Sequence, residues 1–295
     1  MGYKVDNAVI MAAGFSNRFA PISYEKPKAL LEVRGEILIE RQIRQLLEKG
    51  IDRIILVTGY KKEQFSYLKD KFGLIILENP EYRTRNNHST IYTARDYLRN
   101  TYICSSDNYF LENPFEAEVE ESYYAAVFAP GKTDEWCLRT DSDDYITGVS
   151  IGGIRQWYML GQVFWSADFS RQFLSILEQE YEKEETYGKL WESVYLEHTD
   201  RLRLKIRRYE KDQIYEFDTL DELRLFDEKY RTDSGSEIMA RLAEALHCSE
   251  GDIRNLRPLK ASPDNAAGVL FSYRDREYRY LYESQKIIPS QGETL

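Results

Sequence analysis

Four short apolar runs, residues 8–11 (AVIM), 54–58 (IILVT), 74–77 (LIIL) and 102–104 (YIC), alternate with stretches of helical period. Runs this short are strands rather than buried helices, and a strand–helix–strand succession implies right-handed crossovers in a mostly parallel sheet. The intervening helices are legible too. In "ILIERQIRQLLEKG", Leu38, Ile39, Ile43, Leu46 and Leu47 share one stripe that Gly50 closes. "KKEQFSYLKDKFG" and "TIYTARDYLRN" supply two more helices. The predicted fold class is α/β, a mixed, mostly parallel sheet sandwiched by helices in a Rossmann-like arrangement, with a small α+β C-terminal appendage.

After residue 122 the pattern changes. "YYAAVFA", "YITGVSIGG" and "GQVFW" read as additional, partly antiparallel strands; helices near 167–183 and 186–197 follow. Strands in "RLRLKIRRYE" and "IYEFD" and a helix in "TLDELRLFDEKY" complete a domain over 1–230. The polar, Gly/Ser-containing segment 231–236 is the best linker, leaving a small domain over 237–295. There, two short helices, the second capped by Ser249, precede a hairpin turning at Arg274–Arg276.

Composition narrows the function. Cys104, Cys137 and Cys248 show no paired spacing and suit reduced thiols, and the scattered His88, His198 and His247 argue against a zinc site. A formal charge of −10 disfavours a nucleic-acid surface, which needs clustered Lys and Arg. No signal peptide opens the chain, and nowhere do about 18 apolar residues run together. A cytoplasmic protein with no membrane partner is expected, as a monomer or homodimer.

In parallel sheets ligands gather beyond the carboxyl ends of the strands. Two polar segments fall there, "AAGFSNRF" after the first strand and "SSDN" at 105–108. A glycine turn lets backbone N–H groups approach an anion. Arg18, with Lys28 after Pro27, could clamp a triphosphate, although either alone reads as a loop charge. Neither a Walker loop nor a dinucleotide glycine fingerprint is present. Mg²⁺ prefers carboxylates together with phosphate oxygens. Asp107 and Asp218, at strand tips, are its candidate ligands, with Glu216 assisting; singly, each also reads as a cap or turn residue.

The order "MAAGFSNRFAP…EKPKALLEV", "SSDNYF", "IYEFDT" resembles the GT-A-like nucleotidyltransferases. With "NNHSTIYTARDYL", "DEWCL" and "LWESVY", the chain is similar over about residues 5–230 to the CTP:phosphocholine cytidylyltransferases of bacterial choline decoration. The resemblance implies CMP transfer from CTP to phosphocholine or another small phosphorylated amine, with pyrophosphate released, for cell-surface glycan or lipid decoration. It implies a nucleotide cradle at Ala12, Ala13, Gly14, Ser16 and Arg18, a phosphate lysine at Lys28 and a pyrimidine pocket near Asn87 and Ser89. It also implies Mg²⁺ on Asp107, Asp218 and Glu216. For the acceptor, Trp136 with Glu135, and Trp191 with Glu192 and Tyr195, supply the aromatic faces and carboxylates that suit a trimethylammonium group. As core tryptophans they need no ligand, and the same glutamates suit a primary amine.

The tail resembles the opening of a bacterial choline-kinase-type domain, with Ser262, Pro263, Asp264 and Asn265 where that family usually has Gly-Met-Thr-Asn. It holds no catalytic lobe, so a remnant or docking module is expected; a helix-turn-helix over 236–255 lacks a basic face. The rival functions are a sugar-1-phosphate nucleotidyltransferase making an NDP-sugar, and a non-catalytic binding protein on the same scaffold.

Overall fold

A computed structural model describes residues 2–262 and 265–290 of the chain. It resolves into two compact units, the first built from residues up to Gly14 with Leu38–Glu216, the second from Phe15–Ile37 with the chain from Phe217 onward.

In the first unit the strands are β1 (Asn7–Ala12), β2 (Ile54–Thr58), β3 (Ile75–Glu78), β4 (Thr101–Ser105), β5 (Asn108–Phe110), β6 (Tyr123–Thr140), β7 (Ile146–Trp165), β8 (Lys205–Tyr209) and β9 (Ile214–Glu216). Seven form one sheet in the order β8-β6-β7-β4-β1-β2-β3. The strands β4, β1, β2 and β3 run parallel, as the alternating runs require. Only β7 opposes its neighbours, so the sheet is mixed. The segments expected as separate strands after residue 122 merge into one long hairpin, β6 with β7, whose pairing shifts register repeatedly. Those shifts, together with Gly148, Gly152, Gly153 and Gly161 in β7, break the period-two pattern that a continuous strand would show.

Helices α1 (Leu38–Glu48), α2 (Tyr67–Phe72), α3 (His88–Thr93), α4 (Ala167–Glu180) and α5 (Trp191–Leu196) belong to the same unit. Leu38, Ile39, Ile43 and Leu46 of α1 are buried as their spacing predicts. Ser166 starts α4 by accepting a hydrogen bond from the Phe169 N–H (3.2 Å). The core joins Val9, Ile55 and Ile103 of the sheet to Phe169 and Phe173 of α4 and to Trp191 and Tyr195 of α5.

The second unit carries a one-turn helix at Ile22–Glu25, α6 (Leu220–Phe226), α7 (Glu237–Leu246) and an antiparallel sheet of β10 (Arg254–Ser262), β11 (Asn265–Tyr273), β12 (Arg276–Leu281) and β13 (Lys286–Pro289). The β11–β12 hairpin turns at Arg274 and Asp275, both at positive φ (47° and 60°), as a two-residue hairpin loop matched to strand twist requires. Of the tail motif, Pro263 and Asp264 lie outside the described residues. Segment 231–236 is packed rather than loose: Ser234 donates its N–H to the Glu250 carboxylate (2.9 Å), and Ser236 caps α7 through Met239 (3.1 Å). Residues 15–37 are knit into this unit. The Ile238 N–H donates to Glu25 (2.9 Å), the Tyr24 ring stacks on Tyr282 at 4.0 Å, and the Tyr230 hydroxyl donates to the Glu32 carbonyl (2.8 Å). Among the described residues no helix is long and apolar enough to cross a membrane.

Candidate active site

The first unit aligns the two expected polar turns. Met11 of β1 lies opposite Ser105 of β4 in a parallel ladder, and the Ser106 N–H donates to the Met11 carbonyl (3.3 Å). The turns Ala12–Gly14 and Ser106–Asp107 therefore leave neighbouring strands at the same end of the sheet, the carboxyl end. The Ala13 carbonyl is held by the Tyr60 N–H (3.1 Å). A Cβ on Gly59 would stand 2.8 Å from that carbonyl and 2.7 Å from the Tyr82 ring, so only glycine lets the second loop close on the first. At Gly14 a Cβ would meet no atom within 4 Å. The fold does not demand glycine there, whereas close approach of a ligand to the backbone would. Glu216 pairs with Asn108 across β9 and β5, next in sequence to Asp107; Asp107 is half-buried and Glu216 exposed.

Asn87 and Ser89 open α3, and their side chains are already engaged. Ser89 is buried; its hydroxyl donates to the Asn86 carbonyl (2.8 Å) and accepts from the Asn79 amide (2.8 Å). Asn87 accepts from the Trp191 N–H (2.7 Å) and donates to the Glu192 carboxylate (3.1 Å), tying α3 to the first turn of α5. Glu192 also accepts from the Tyr124 hydroxyl (3.2 Å). Burial pushes this carboxyl up to about 7, the two neutral donors offsetting only part of the desolvation.

The acceptor candidates divide by depth. Trp191 and Tyr195 are core residues at 1% and 0% exposure; Trp191 stacks on Tyr124 (5.8 Å) and meets Trp165 edge-on (5.0 Å). Trp136 is half-buried and Glu135 exposed, both on β6. The faces within reach of a ligand thus belong to the 135–136 pair, while Trp191 and Tyr195 pack in the core.

In the second unit Arg18, Lys28 and Asp218 meet. Ser16, at φ 50° and ψ 44°, turns the chain into a 3₁₀ turn, Asn17–Phe19, that carries Arg18. Lys28, only 5% exposed, begins a second such turn after Pro27 and lies 6.0 Å from the Phe19 ring centre. Asp218 is 2.7 Å from Arg18 and 3.9 Å from Lys28. Its own N–H donates to Glu222 (2.7 Å), part of the capping box that Thr219 and Glu222 form at the start of α6. The cluster pairs one carboxylate with two cations, a composition in which phosphate oxygens can replace the carboxylate on the cations and free it for a hard cation.

Sequence reasoning missed Gly59, Asn79 and Tyr124. "TGY" and "ENP" end the second and third strands as "AAG" ends the first, so Gly59 and Asn79 share its positional signal; Tyr124 carries none.

A MobA-like NTP transferase domain matches residues 8–194. The choline-phosphate cytidylyltransferase of Streptococcus pneumoniae is 33% identical over 221 residues, 75% of this chain and 96% of the relative. The 2-aminoethylphosphonate cytidylyltransferase of Lancefieldella rimae is 35% identical over 228 residues, 76% of this chain and 93% of the relative. The solved structure of CTP:phosphocholine cytidylyltransferase from Streptococcus pneumoniae superposes with a TM-score of 0.73 at 32% identity, covering 77% of this chain and 99% of that one.

Proposed function

Because this chain belongs to the MobA-like NTP transferase family, with choline-phosphate and 2-aminoethylphosphonate cytidylyltransferases among its relatives, we propose that it is a cytidylyltransferase. It transfers CMP from CTP to phosphocholine or a phosphono-amine of similar size and releases pyrophosphate. One observation supports the reading above others: Ala12–Gly14 and Ser106–Asp107 leave the same sheet end, with no neighbour that requires glycine at 14.

A phosphate or phosphonate oxygen of the acceptor attacks the α-phosphorus of CTP in line, the new P–O bond forming as the bond to pyrophosphate breaks. The acceptor oxygen is already anionic near neutral pH, so no general base is needed. Backbone N–H groups of the Ala12–Gly14 turn and Ser16 face the phosphates, and Arg18 and Lys28 offset charge on the departing pyrophosphate. Asp107, Glu216 and Asp218 offer only hard carboxylate oxygens, the donor type that Mg²⁺ takes. When bound, that ion would neutralise triphosphate charge. Asn87 acts on the pyrimidine side by holding Glu192 and the start of α5. Trp136 and Glu135 face the acceptor's ammonium group, and Trp191 and Tyr195 contribute from the core. CTP as donor places the reaction in the cytoplasm. By sequence the transferase domain spans 1–230 and the kinase-lobe-like domain 237–295, and in the fold the latter packs in one unit with residues 15–37 and 217–230.

The deciding assay measures pyrophosphate release with CTP and Mg²⁺ against phosphocholine, phosphoethanolamine and 2-aminoethylphosphonate, and with UTP or dTTP against hexose 1-phosphates. Turnover with one of the first three is expected; turnover only with a hexose phosphate would make the chain a sugar nucleotidyltransferase. A 2-aminoethylphosphonate preference is the second reading, favoured by the 35% identical relative.

A further inference from the structure

Helix α4 ends at Glu180, and α5 is followed directly by Glu197 and His198. The folded chain brings these three side chains together: one ligand atom from each lies within 4.8 Å of the others. His198 Nε2 is 3.4 Å from a Glu180 carboxylate oxygen. Ligand atoms on a tetrahedral Zn²⁺, each about 2.0–2.1 Å from the ion, stand about 3.3–3.4 Å apart. That pair already has the separation a shared ion would impose.

The backbone of the cluster is fixed, since the Glu197 N–H donates to the Ser193 carbonyl (3.2 Å) and the His198 N–H to the Tyr195 carbonyl (2.9 Å). Both carboxylates and the imidazole sit at helix C-termini, where the backbone dipole favours a cation. Two lysines compete for the place: Lys183 is 3.8 Å from Glu180, and Lys189 is 2.7 Å from Glu197. Lys183 is half exposed and can swing away, and Glu197 has a second oxygen while Lys189 keeps the first. We propose that Glu180, Glu197 and His198 form a zinc-class metal site, with water as the fourth ligand, that clasps the end of α5 to the end of α4. It is separate from the carboxylates proposed for Mg²⁺, because an imidazole with two carboxylates suits a first-row transition ion. Its consequence is mechanical, since the first turn of α5 carries Trp191 and Glu192.

The test titrates metal-stripped full-length protein with Zn²⁺ by calorimetry in excess Mg²⁺, and with Co²⁺ by visible absorption, for the wild type, His198→Ala and Glu180→Gln. One Zn²⁺ per chain is expected, with Co²⁺ bands of a four-coordinate site. Both substitutions should weaken Zn²⁺ by about tenfold or more and abolish those bands. A folding check by circular dichroism accompanies each variant, and the bivalent ligand change Glu197→Gln repeats the measurement if one variant fails to fold. Wild-type Zn²⁺ affinity in His198→Ala, or no Zn²⁺ uptake by the wild type, overturns the proposal.

Discussion

Two carboxylates in the two units meet opposite surroundings. Asp218 is a quarter exposed and faces two cations, Arg18 and Lys28. Glu192 is 9% exposed and faces two neutral donors, Asn87 and Tyr124. The exposed Arg18 can be handed from a carboxylate to a phosphate at modest cost because it keeps its water, whereas the buried Lys28 needs an anion beside it throughout. A carboxyl surrounded by an amide and a phenol in the core has nothing to exchange with. The difference teaches that two acids need not be equipped alike: one sits among exchangeable charges, the other holds a shape.

The sharpest way to break that contrast is Asp218→Asn. Turnover should fall by roughly 10²–10³-fold, the scale of losing one preorganised electrostatic contact, while the thermal midpoint barely moves; pyrophosphate release and a melting curve measure both. Retained turnover would remove Asp218 from the reaction. Glu192→Gln probes the other side through stability. The wild-type carboxyl binds its proton in the folded state up to about pH 7, against an ordinary value of 4.5. The folded state thus holds more protons than the unfolded state between these values, so its contribution is full below 4.5, declines as pH rises, and is gone above 7. Urea titrations from pH 4.5 to 8 should show the variant gaining up to about 3 kcal/mol relative to wild type across that window. A parallel pH dependence in both proteins would show that Glu192 is not the titrating group.

Two glycines sharpen the same distinction between holding a shape and meeting a ligand. Gly59→Ala should cost about 1–3 kcal/mol in urea unfolding, since the added methyl overlaps Ala13 and Tyr82. Gly14→Ala should leave stability within about 0.5 kcal/mol, its methyl entering open space, but weaken CTP in calorimetry. Equal effects on stability would erase the difference. The smallest change is expected for Arg18→Ala, whose ion pair is 72% exposed on the arginine side. It should alter folding stability by less than about 1 kcal/mol while slowing pyrophosphate release.

Much of the parallel half-sheet was legible because its strands are short apolar runs, the inner three buried almost throughout, and α1 because its stripe keeps strict period. The β6–β7 hairpin was not, since glycines and register shifts erase alternation over long strands. For the site, strand-end position pointed to Gly14 and Asp107, and pairing of Arg18, Lys28 and Asp218 followed from charge type once the fold joined them. Depth could not be read: "LWESVY" offers Trp191 and Glu192 as ligand-facing residues, yet a six-residue helix docked on Trp165 and Phe173 turns them inward. Nor could the meeting of Glu180 with His198 be read, because it depends on two helices ending side by side.

Residues 15–37, which carry Arg18 and Lys28, fold into one unit with the chain from Phe217 onward. The strand Arg254–Ser262 packs on the turn that holds Arg18. Substitutions in the tail can therefore alter how Arg18 is presented without touching the residue itself.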